Sequence, residues 1–180
     1  MDIKYVLGLI GREFLERKID FAIVGGVALS YYVKPRMTID LDLMIFTSDF
    51  DLIERTLNSF GFDCVFKSDD MATFLSKEMR LGRIDFQIAH RVRARKMLKQ
   101  ANVIDLADGI QIKVLQPEDL IGLKVQAYCN DSDRYYQDMA DIRSLIISGV
   151  CNDFRKIRDY FTIFGKESDF EQLMPTKESK

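Results

Sequence analysis

Apolar residues change their spacing along the chain, and these changes predict an α+β fold. Helical spacing over residues 2–18 predicts a first helix, and the short apolar run at 21–24 predicts a buried strand. Between residues 62 and 115, short apolar runs separated by turn residues predict further strands. Helical spacing then returns and predicts helices over residues 117–129, 133–147 and 152–164. We therefore expect a mixed β-sheet flanked by helices, followed by a C-terminal helical segment.

This pattern divides the chain into three parts. Residues 1–116 are expected to form a core with the mixed sheet, and residues 117–165 to form helices packed on it. Residues 166–180 are mainly polar and are expected to be partly disordered or to bind a partner. With 180 residues and a hydrophobic share of 47%, the chain is large enough to bury a substantial core.

A glycine pair, Gly25 and Gly26, follows the first predicted strand. Adjacent glycines permit backbone angles that other residues avoid, and they leave their amide groups uncovered. A helix predicted over residues 27–33 begins there, so its free N–H groups and positive dipole end face the turn. Because this geometry attracts phosphate groups, the pair is a candidate phosphate-binding turn.

The next predicted strand, residues 38–46, carries two carboxylates on one face. Apolar residues at 39, 41 and 43 alternate with Asp40 and Asp42, so the two acids point away from the apolar side. Neighbouring carboxylates repel each other, and a divalent cation between them reverses the sign of that interaction. Mg²⁺ suits such a site because it takes oxygen ligands from one or two carboxylates and from substrate phosphates. The alternative is a solvated strand face that holds two acids.

These motifs resemble the nucleotidyltransferase superfamily that includes DNA polymerase β, and within it the small bacterial enzymes of the abortive-infection and toxin–antitoxin type. The resemblance is carried by Gly25-Gly26 followed by Arg36-x-Thr38-x-Asp40-x-Asp42. That family has a third carboxylate on a later strand, and Asp85 within residues 83–88 matches it. The resemblance covers residues 21–147 and implies a nucleotidyltransferase-type sheet.

The resemblance implies transfer of a nucleoside monophosphate from a nucleoside triphosphate (NTP), with release of pyrophosphate. Asp40 and Asp42 would hold two Mg²⁺ ions, and Asp85 would bind the acceptor-side ion and help to deprotonate the attacking hydroxyl. The amides of Gly25 and Gly26 would hold the β- and γ-phosphates.

Two further residues near the glycine pair are candidates for nucleotide binding. Many family members have serine after the first glycine, where this chain has Gly26. Ser30, one helical turn later, either substitutes in part for that serine or lies on the helix surface. Arg36 matches an arginine thought to contact triphosphate in the resembling toxin-type enzymes, or else it lies in a surface loop.

A second block of residues in the helical third also resembles these enzymes. The resemblance implies that Lys124 neutralises triphosphate charge and that Asp138 orients Lys124 or Arg134. Asp141 lies three residues after Asp138 on the same helical face, so the assignment between the two acids stays open. The alternative is a set of charges on helix surfaces.

Charge is distributed unevenly along the chain. The formal net charge is −2, which provides no overall attraction to nucleic acid or to an anionic membrane. Residues 77–99, however, hold eight basic and two acidic side chains. This basic stretch is either a footprint for the phosphate backbone of an RNA acceptor or a solvated helix whose arginines pair with acids elsewhere.

Other sequence features exclude several classes of protein. There is one histidine, His90, which excludes a multi-histidine zinc site and disfavours a serine–histidine hydrolase. No Walker motif and no Gly-x-Gly-x-x-Gly motif occurs. Three widely spaced cysteines, without a secretory leader or a membrane span, indicate a reduced cytoplasmic protein with no membrane partner.

The sequence therefore predicts a metal-dependent nucleotidyltransferase, either a toxin–antitoxin or a resistance enzyme. Its partners would be an NTP, an acceptor that is RNA, protein or a small molecule, and a cognate antitoxin. The alternative is a non-catalytic antitoxin or regulatory partner that retains the fold and binds nucleotide or RNA.

Overall fold

The structure is a computed structural model that describes residues 1–33, 38–106 and 110–174. These residues form two compact units. The first holds residues 1–31 and the chain from residue 38 to Gln116. The second holds the chain from Pro117 to residue 174, together with Tyr32 and Val33. No helix within these residues is both long enough and apolar enough to cross a lipid bilayer.

One mixed sheet organises the first unit. Its strands are β1 (Phe21–Ile23), β2 (Asp40–Phe46), β3 (Phe62–Lys67), β4 (Met71–Ser76), β5 (Arg83–Ala89), β6 (Asn102–Asp105) and β7 (Gln111–Val114). They lie in the order β3-β4-β5-β2-β1-β7-β6. The pairs β2–β5 and β1–β7 are parallel, and the other neighbours are antiparallel. The mixed sheet and its helices confirm the predicted α+β class.

Four helices precede or connect these strands, and the first begins and ends close to its predicted position. They are α1 (Ile3–Glu16), α2 (Gly25–Tyr32), α3 (Phe50–Ser59) and α4 (Val92–Lys99). Asp2 caps α1, because its carboxylate accepts a hydrogen bond of 3.0 Å from the backbone N–H of Tyr5. Helix α2 begins at Gly25, two residues earlier than predicted. The glycine pair is therefore the first turn of the helix rather than a loop before it.

The core of the first unit is built on the apolar face of β2 and its neighbours. Leu41 and Leu43 are completely buried, as the alternation along this strand predicts. Phe74 of β4 and Phe86 of β5 are also completely buried, and their rings meet edge to face at 5.5 Å between centroids. This packing fixes which face of the central strands is left for the carboxylates.

The second unit is helical. It contains α5 (Pro117–Asn130), a 3₁₀ turn (Ser132–Arg134), α6 (Tyr135–Ile147), α7 (Phe154–Ile163) and α8 (Glu167–Leu173). Its completely buried apolar side chains include Ile121, Val125, Ile142, Leu145, Ile157 and Phe161. Gly122 of α5 lies against the ring of Tyr160, since a Cβ at this glycine would come within 2.7 Å of the ring. The small residue allows α5 and α7 to approach closely.

Two local features of this unit differ from expectation. Residues 166–180 were expected to form a polar, partly disordered tail, but residues 167–173 form helix α8. Phe170 accounts for the difference, because it is buried and its ring packs near that of Phe161, with 5.6 Å between centroids. The cap of α7 is Asp153, whose carboxylate accepts from the Lys156 N–H at 2.9 Å, so the helix starts later than predicted.

Candidate active site

The first turn of α2 lies directly against Asp42. Gly25 has φ of +59°, and a Cβ placed on it would lie 2.0 Å from Asp42 Oδ2. The backbone N–H of Val24 also donates to the carbonyl of Asp42 at 3.0 Å. Only glycine permits both this backbone conformation and this approach. The Asp42 carboxylate therefore lies beside the N-terminal end of α2.

Asp40, Asp42 and Asp85 share one face of the sheet. In the parallel pairing of β2 with β5, Asp42 is opposite Asp85 and Asp40 is opposite Arg83. Side chains of paired residues lie on the same face, about 5 Å apart across the strands. Asp40 and Asp42 are partly buried, whereas Asp85 is only 7% exposed. The two parallel strands thus place three acids and one arginine on one face of the sheet.

Asp85 is held by two side chains of the neighbouring sheet residues. The Thr73 hydroxyl, on β4, donates to Asp85 Oδ1 at 2.6 Å. Arg83 Nε and Nη2 donate to the same oxygen at 3.1 and 3.0 Å, and Nε lies 2.9 Å from Oδ2. Thr73 and Arg83 were not identified as site residues from the sequence. Strand alternation was the available signal for Arg83, which is two residues before Asp85 and therefore on its face.

The charge of Arg83 is stabilised by all three acids. Its hydrogen bonds with Asp85 are the main cause that raises the pKa of the guanidinium above its ordinary value, against the opposing effect of burial. The negative charges of Asp85, Asp40 and Asp42 act in the same direction as the hydrogen bonds. The guanidinium therefore lies within the field of the whole carboxylate group.

Helix α2 and the segment after it contain the other nucleotide-binding candidates. The Ser30 hydroxyl donates to the carbonyl of Gly26 at 2.9 Å, one turn back along the helix. A Cβ on Gly26 would lie 2.9 Å from the Thr38 hydroxyl oxygen, so Thr38 occupies the space beside this glycine. Arg36 lies outside the residues that the structure describes.

The second unit holds a buried network of ion pairs around Lys124. Its Nζ donates to Asp138 Oδ1 at 2.9 Å and to Asp141 Oδ2 at 2.6 Å. Arg134 Nε donates to the other oxygen of Asp138 at 3.1 Å. Both acids therefore contact Lys124, and Asp138 joins it to Arg134. The sequence left open which of Asp138 and Asp141 is the partner of Lys124, and in the structure both are.

Comparisons with known proteins agree with this fold. The sequence matches, over residues 12–178, the family described as nucleotidyl transferase AbiEii toxin, type IV TA system. The chain belongs to the AbiEii nucleotidyltransferase family. This confirms the resemblance to nucleotidyltransferases of the toxin–antitoxin type, and the protein is a nucleotidyltransferase. No protein of curated function matches this sequence significantly.

Solved structures similar to this AbiEii-family protein are also nucleotidyltransferases. The antibiotic-resistance factor ANT(2'')-Ia has a TM-score of 0.64 and 17% identity, with 96% of each chain covered. An antigenic nucleotidyltransferase-like protein from Paracoccidioides brasiliensis has a TM-score of 0.61 and 20% identity, covering 96% of this chain and 91% of that one. The lincosamide antibiotic adenylyltransferase LnuA has a TM-score of 0.57 and 12% identity, covering 78% and 96%. At these identities the likeness supports the fold, and the predicted nucleotidyltransferase-type sheet is confirmed.

The carboxylate face of the AbiEii-family protein presents oxygen donors of the kind that Mg²⁺ binds. The space beside Gly25 is taken by the carboxylate of Asp42, because a Cβ on this glycine would lie 2.0 Å from Oδ2. Within the described residues, no three acid, histidine or cysteine side chains are close enough together to form a ready metal cluster. At Asp85 a cation is already present, because the guanidinium of Arg83 contacts this carboxylate.

The basic stretch at residues 77–99 is divided by the fold. Arg83 lies among the acids of the site, Arg80 contacts Asp2 at 3.4 Å, and Arg91 contacts Asp70 at 3.5 Å. Four further basic residues lie on or near α4: Arg93, Arg95, Lys96 and Lys99. Several members of the stretch therefore have acidic partners, as the solvated alternative predicts, and four of its basic residues lie on one helix. Binding of RNA by this helix stays a prediction.

Proposed function

We propose that this nucleotidyltransferase transfers a nucleoside monophosphate from an NTP to an acceptor hydroxyl or phosphate in a reaction that requires Mg²⁺. The observation that carries the proposal is the contact of Asp42 with Gly25, combined with the pairing of Asp42 and Asp85 across parallel strands. A phosphate-binding helix end and two metal-binding carboxylates would then serve one substrate.

Each side chain has a separate task in this proposal. The backbone N–H groups of Gly25 and Gly26, in the first turn of α2, would bind the β- and γ-phosphates. Asp40 and Asp42 would hold two Mg²⁺ ions. Asp85, held in orientation by Thr73, would complete the acceptor side and take up the proton of the attacking hydroxyl. When bound, the metal would neutralise triphosphate charge and polarise the reacting phosphorus group.

Lys124 also stays a proposed nucleotide contact, as the resemblance implies, and its ammonium group is oriented by hydrogen bonds to Asp138 and Asp141. Ser30 and Arg36 remain proposed nucleotide contacts. To donate to a phosphate oxygen, the Ser30 hydroxyl would turn away from the Gly26 carbonyl that it contacts at 2.9 Å in this structure.

Transfer of labelled nucleotide tests the proposal directly. Purified protein is incubated with each α-³²P-labelled NTP, Mg²⁺ and cell extract, and label in macromolecules and small molecules is separated. We expect transfer by the wild type and at least a 100-fold loss in Asp42→Asn, because phosphoryl transfer depends on charge neutralisation. Asp69→Asn is the matched control, since it makes the same change at an exposed turn. Equal transfer by Asp42→Asn and wild type would contradict the assignment.

We further propose that the protein is the toxin of a toxin–antitoxin pair, which the family description supports. Induced expression is then expected to arrest growth, whereas Asp42→Asn at the same protein level is not. Digestion of the labelled product with ribonuclease or protease identifies an RNA or protein acceptor. Label that resists both, passes a dialysis membrane and separates from the NTP and the free monophosphate on thin-layer chromatography identifies a small molecule, the class of acceptor named for ANT(2'')-Ia and LnuA.

A further inference from the structure

Arg83 occupies a position that a catalytic cation would also need. Its guanidinium contacts both carboxylate oxygens of Asp85, at 2.9 to 3.1 Å from Nε. Its Cα is paired with that of Asp40 in the β2–β5 ladder, so its side chain leaves the sheet on the carboxylate face. The arginine therefore lies on the shared face of two paired strands that both supply acids to the site.

The contacts at Asp85 leave little capacity for a metal ion. Oδ1 accepts from the Thr73 hydroxyl and from two nitrogens of Arg83, and Oδ2 lies 2.9 Å from Nε. A divalent cation binds carboxylate oxygens at about 2.0–2.1 Å for Mg²⁺. A guanidinium and a divalent cation on the same carboxylate would repel each other strongly in a partly desolvated site. Both cannot hold Asp85 in its observed arrangement.

Arg83 is also able to leave the carboxylate. Its side chain is 48% exposed, whereas that of Asp85 is 10% exposed. The terminal group of a half-exposed arginine already lies near water, so it can rotate into solvent without leaving a buried site. Asp85 keeps its hydrogen bond with Thr73 when that occurs, so the carboxylate stays oriented toward the face it shares with Asp42.

We propose that Arg83 is an internal counter-ion that stabilises the carboxylate cluster in the metal-free protein and competes with the divalent cation for Asp85. The arginine then acts through Asp85 as a positioning residue and lowers metal affinity until substrate is present. An NTP offers phosphate oxygens that a displaced guanidinium can bind, so the nucleotide would help to release Asp85 for the metal. This inference rests on the proposed metal-dependent function.

Binding of Mn²⁺ to the nucleotide-free protein tests the inference without measuring activity. Free Mn²⁺ is quantified by its electron paramagnetic resonance signal for wild type, Arg83→Gln, Arg83→Lys and Arg80→Gln. We expect Arg83→Gln to bind Mn²⁺ on the order of tenfold more tightly, because a competing charge is removed. Arg83→Lys keeps the charge without the two-pronged contact and is expected to be intermediate. Arg80→Gln removes the same charge from an exposed pair with Asp2 and should change affinity less than about twofold.

Thermal unfolding of the same variants provides an independent measurement. In a chelator, Arg83→Gln should unfold at a lower temperature than wild type, because the acids lose their counter-ion. Its unfolding temperature should rise more on addition of Mn²⁺ than that of wild type. A residue with only a structural role would weaken the fold without strengthening metal binding.

The possible failures are distinguishable. If wild type binds Mn²⁺, Asp42→Asn does not, and Arg83→Gln binds no more tightly than wild type, the role of Arg83 is wrong and the metal site stands. If neither wild type nor Arg83→Gln binds Mn²⁺ with or without NTP, both this inference and the proposed metal dependence are wrong.

Discussion

Gly25 packs so closely against Asp42 that a hydrogen on its Cα faces the carboxylate. Any other residue would have its Cβ at that place. A Cβ at position 25 would lie 2.0 Å from Oδ2 and 2.6 Å from Cγ of Asp42. The contact joins the first turn of a helix to the acidic strand of the sheet. The position of Asp42, a candidate metal ligand, therefore depends on the conformation of Gly25.

Substitution of Gly25 by alanine should therefore damage stability and function together. The positive φ and the displacement of Asp42 are expected to lower the free energy of unfolding by about 2–4 kcal/mol. Nucleotide transfer should fall by at least the 100-fold expected for Asp42→Asn. Urea unfolding and the labelled-nucleotide assay measure the two effects. Gly8→Ala is the control: no atom lies within 4 Å of its added carbon, and in the middle of α1 it should gain about 0.5–1 kcal/mol.

Gly26 is restricted by Thr38 rather than by its backbone angle. The family serine at this place would bring its Cβ within 2.9 Å of the Thr38 hydroxyl and 3.2 Å of Thr38 Cβ. We expect Gly26→Ser to lose about 1–3 kcal/mol of stability through overpacking. Adding Thr38→Ala should recover more than half of that loss. Chemical denaturation of the two single variants and the double variant checks this, and strictly additive losses would contradict it.

The network around Lys124 should respond strongly to loss of its central charge. Lys124→Met leaves Asp138 and Asp141 buried without their shared cation, and about 3–5 kcal/mol of stability should be lost. Combining it with Asp141→Asn should restore part of this, since one of the two buried negative charges is removed. Arg134→Ala is expected to cost less than about 1 kcal/mol, because its side chain is 54% exposed. Urea titrations measure all three, and a milder effect of Lys124→Met than of Arg134→Ala would refute the description.

The three thiols should differ in reactivity. Burial raises the pKa of Cys151 to about 12, and burial also raises the pKa of the exposed Cys129. Since the thiolate is the reactive form, Cys151 should resist a disulfide reagent at pH 8 until the protein unfolds, whereas Cys129 should react in the native state. The contribution to stability that goes with the raised pKa of Cys151 is fully present at pH values below the ordinary thiol pKa, near 8.5. This contribution is lost progressively as the pH rises toward 12. Release of the coloured thiolate with and without guanidinium counts the protected groups, and Cys151→Ala identifies the slow one.

Local patterns predicted most of the elements but not all their ends. Alternation of Leu41 and Leu43 with two acids identified both the strand and its two faces. It did not predict that α2 begins at Gly25, because that start depends on the carboxylate packed beside the glycine. Nor did composition predict α8: seven residues of low hydrophobicity form a helix there because Phe170 finds a buried place against Phe161.

The three acids of the carboxylate face were predicted as site residues, but the arginine that lies among them was missed. From the sequence, Arg83 was assigned to the basic stretch because its neighbours in the chain are also basic. Asp40, its partner across the sheet, is about forty positions earlier in the chain. The importance of Arg83 follows from the register that pairs it with Asp40. In the same way, the sequence spacing of Asp138 and Asp141 left one partner to choose for Lys124, whereas the packed helices bring both within 3 Å.

The order of glycines, acids and apolar residues along the chain was by itself enough to indicate the α+β class and the nucleotidyltransferase family. This works because strand alternation and helix spacing are local consequences of backbone geometry. Which side chains neutralise which charges was decided only by the tertiary structure. Pairing of β2 with β5 joins residues about forty positions apart, and this pairing places Asp42 opposite Asp85 and Asp40 opposite Arg83.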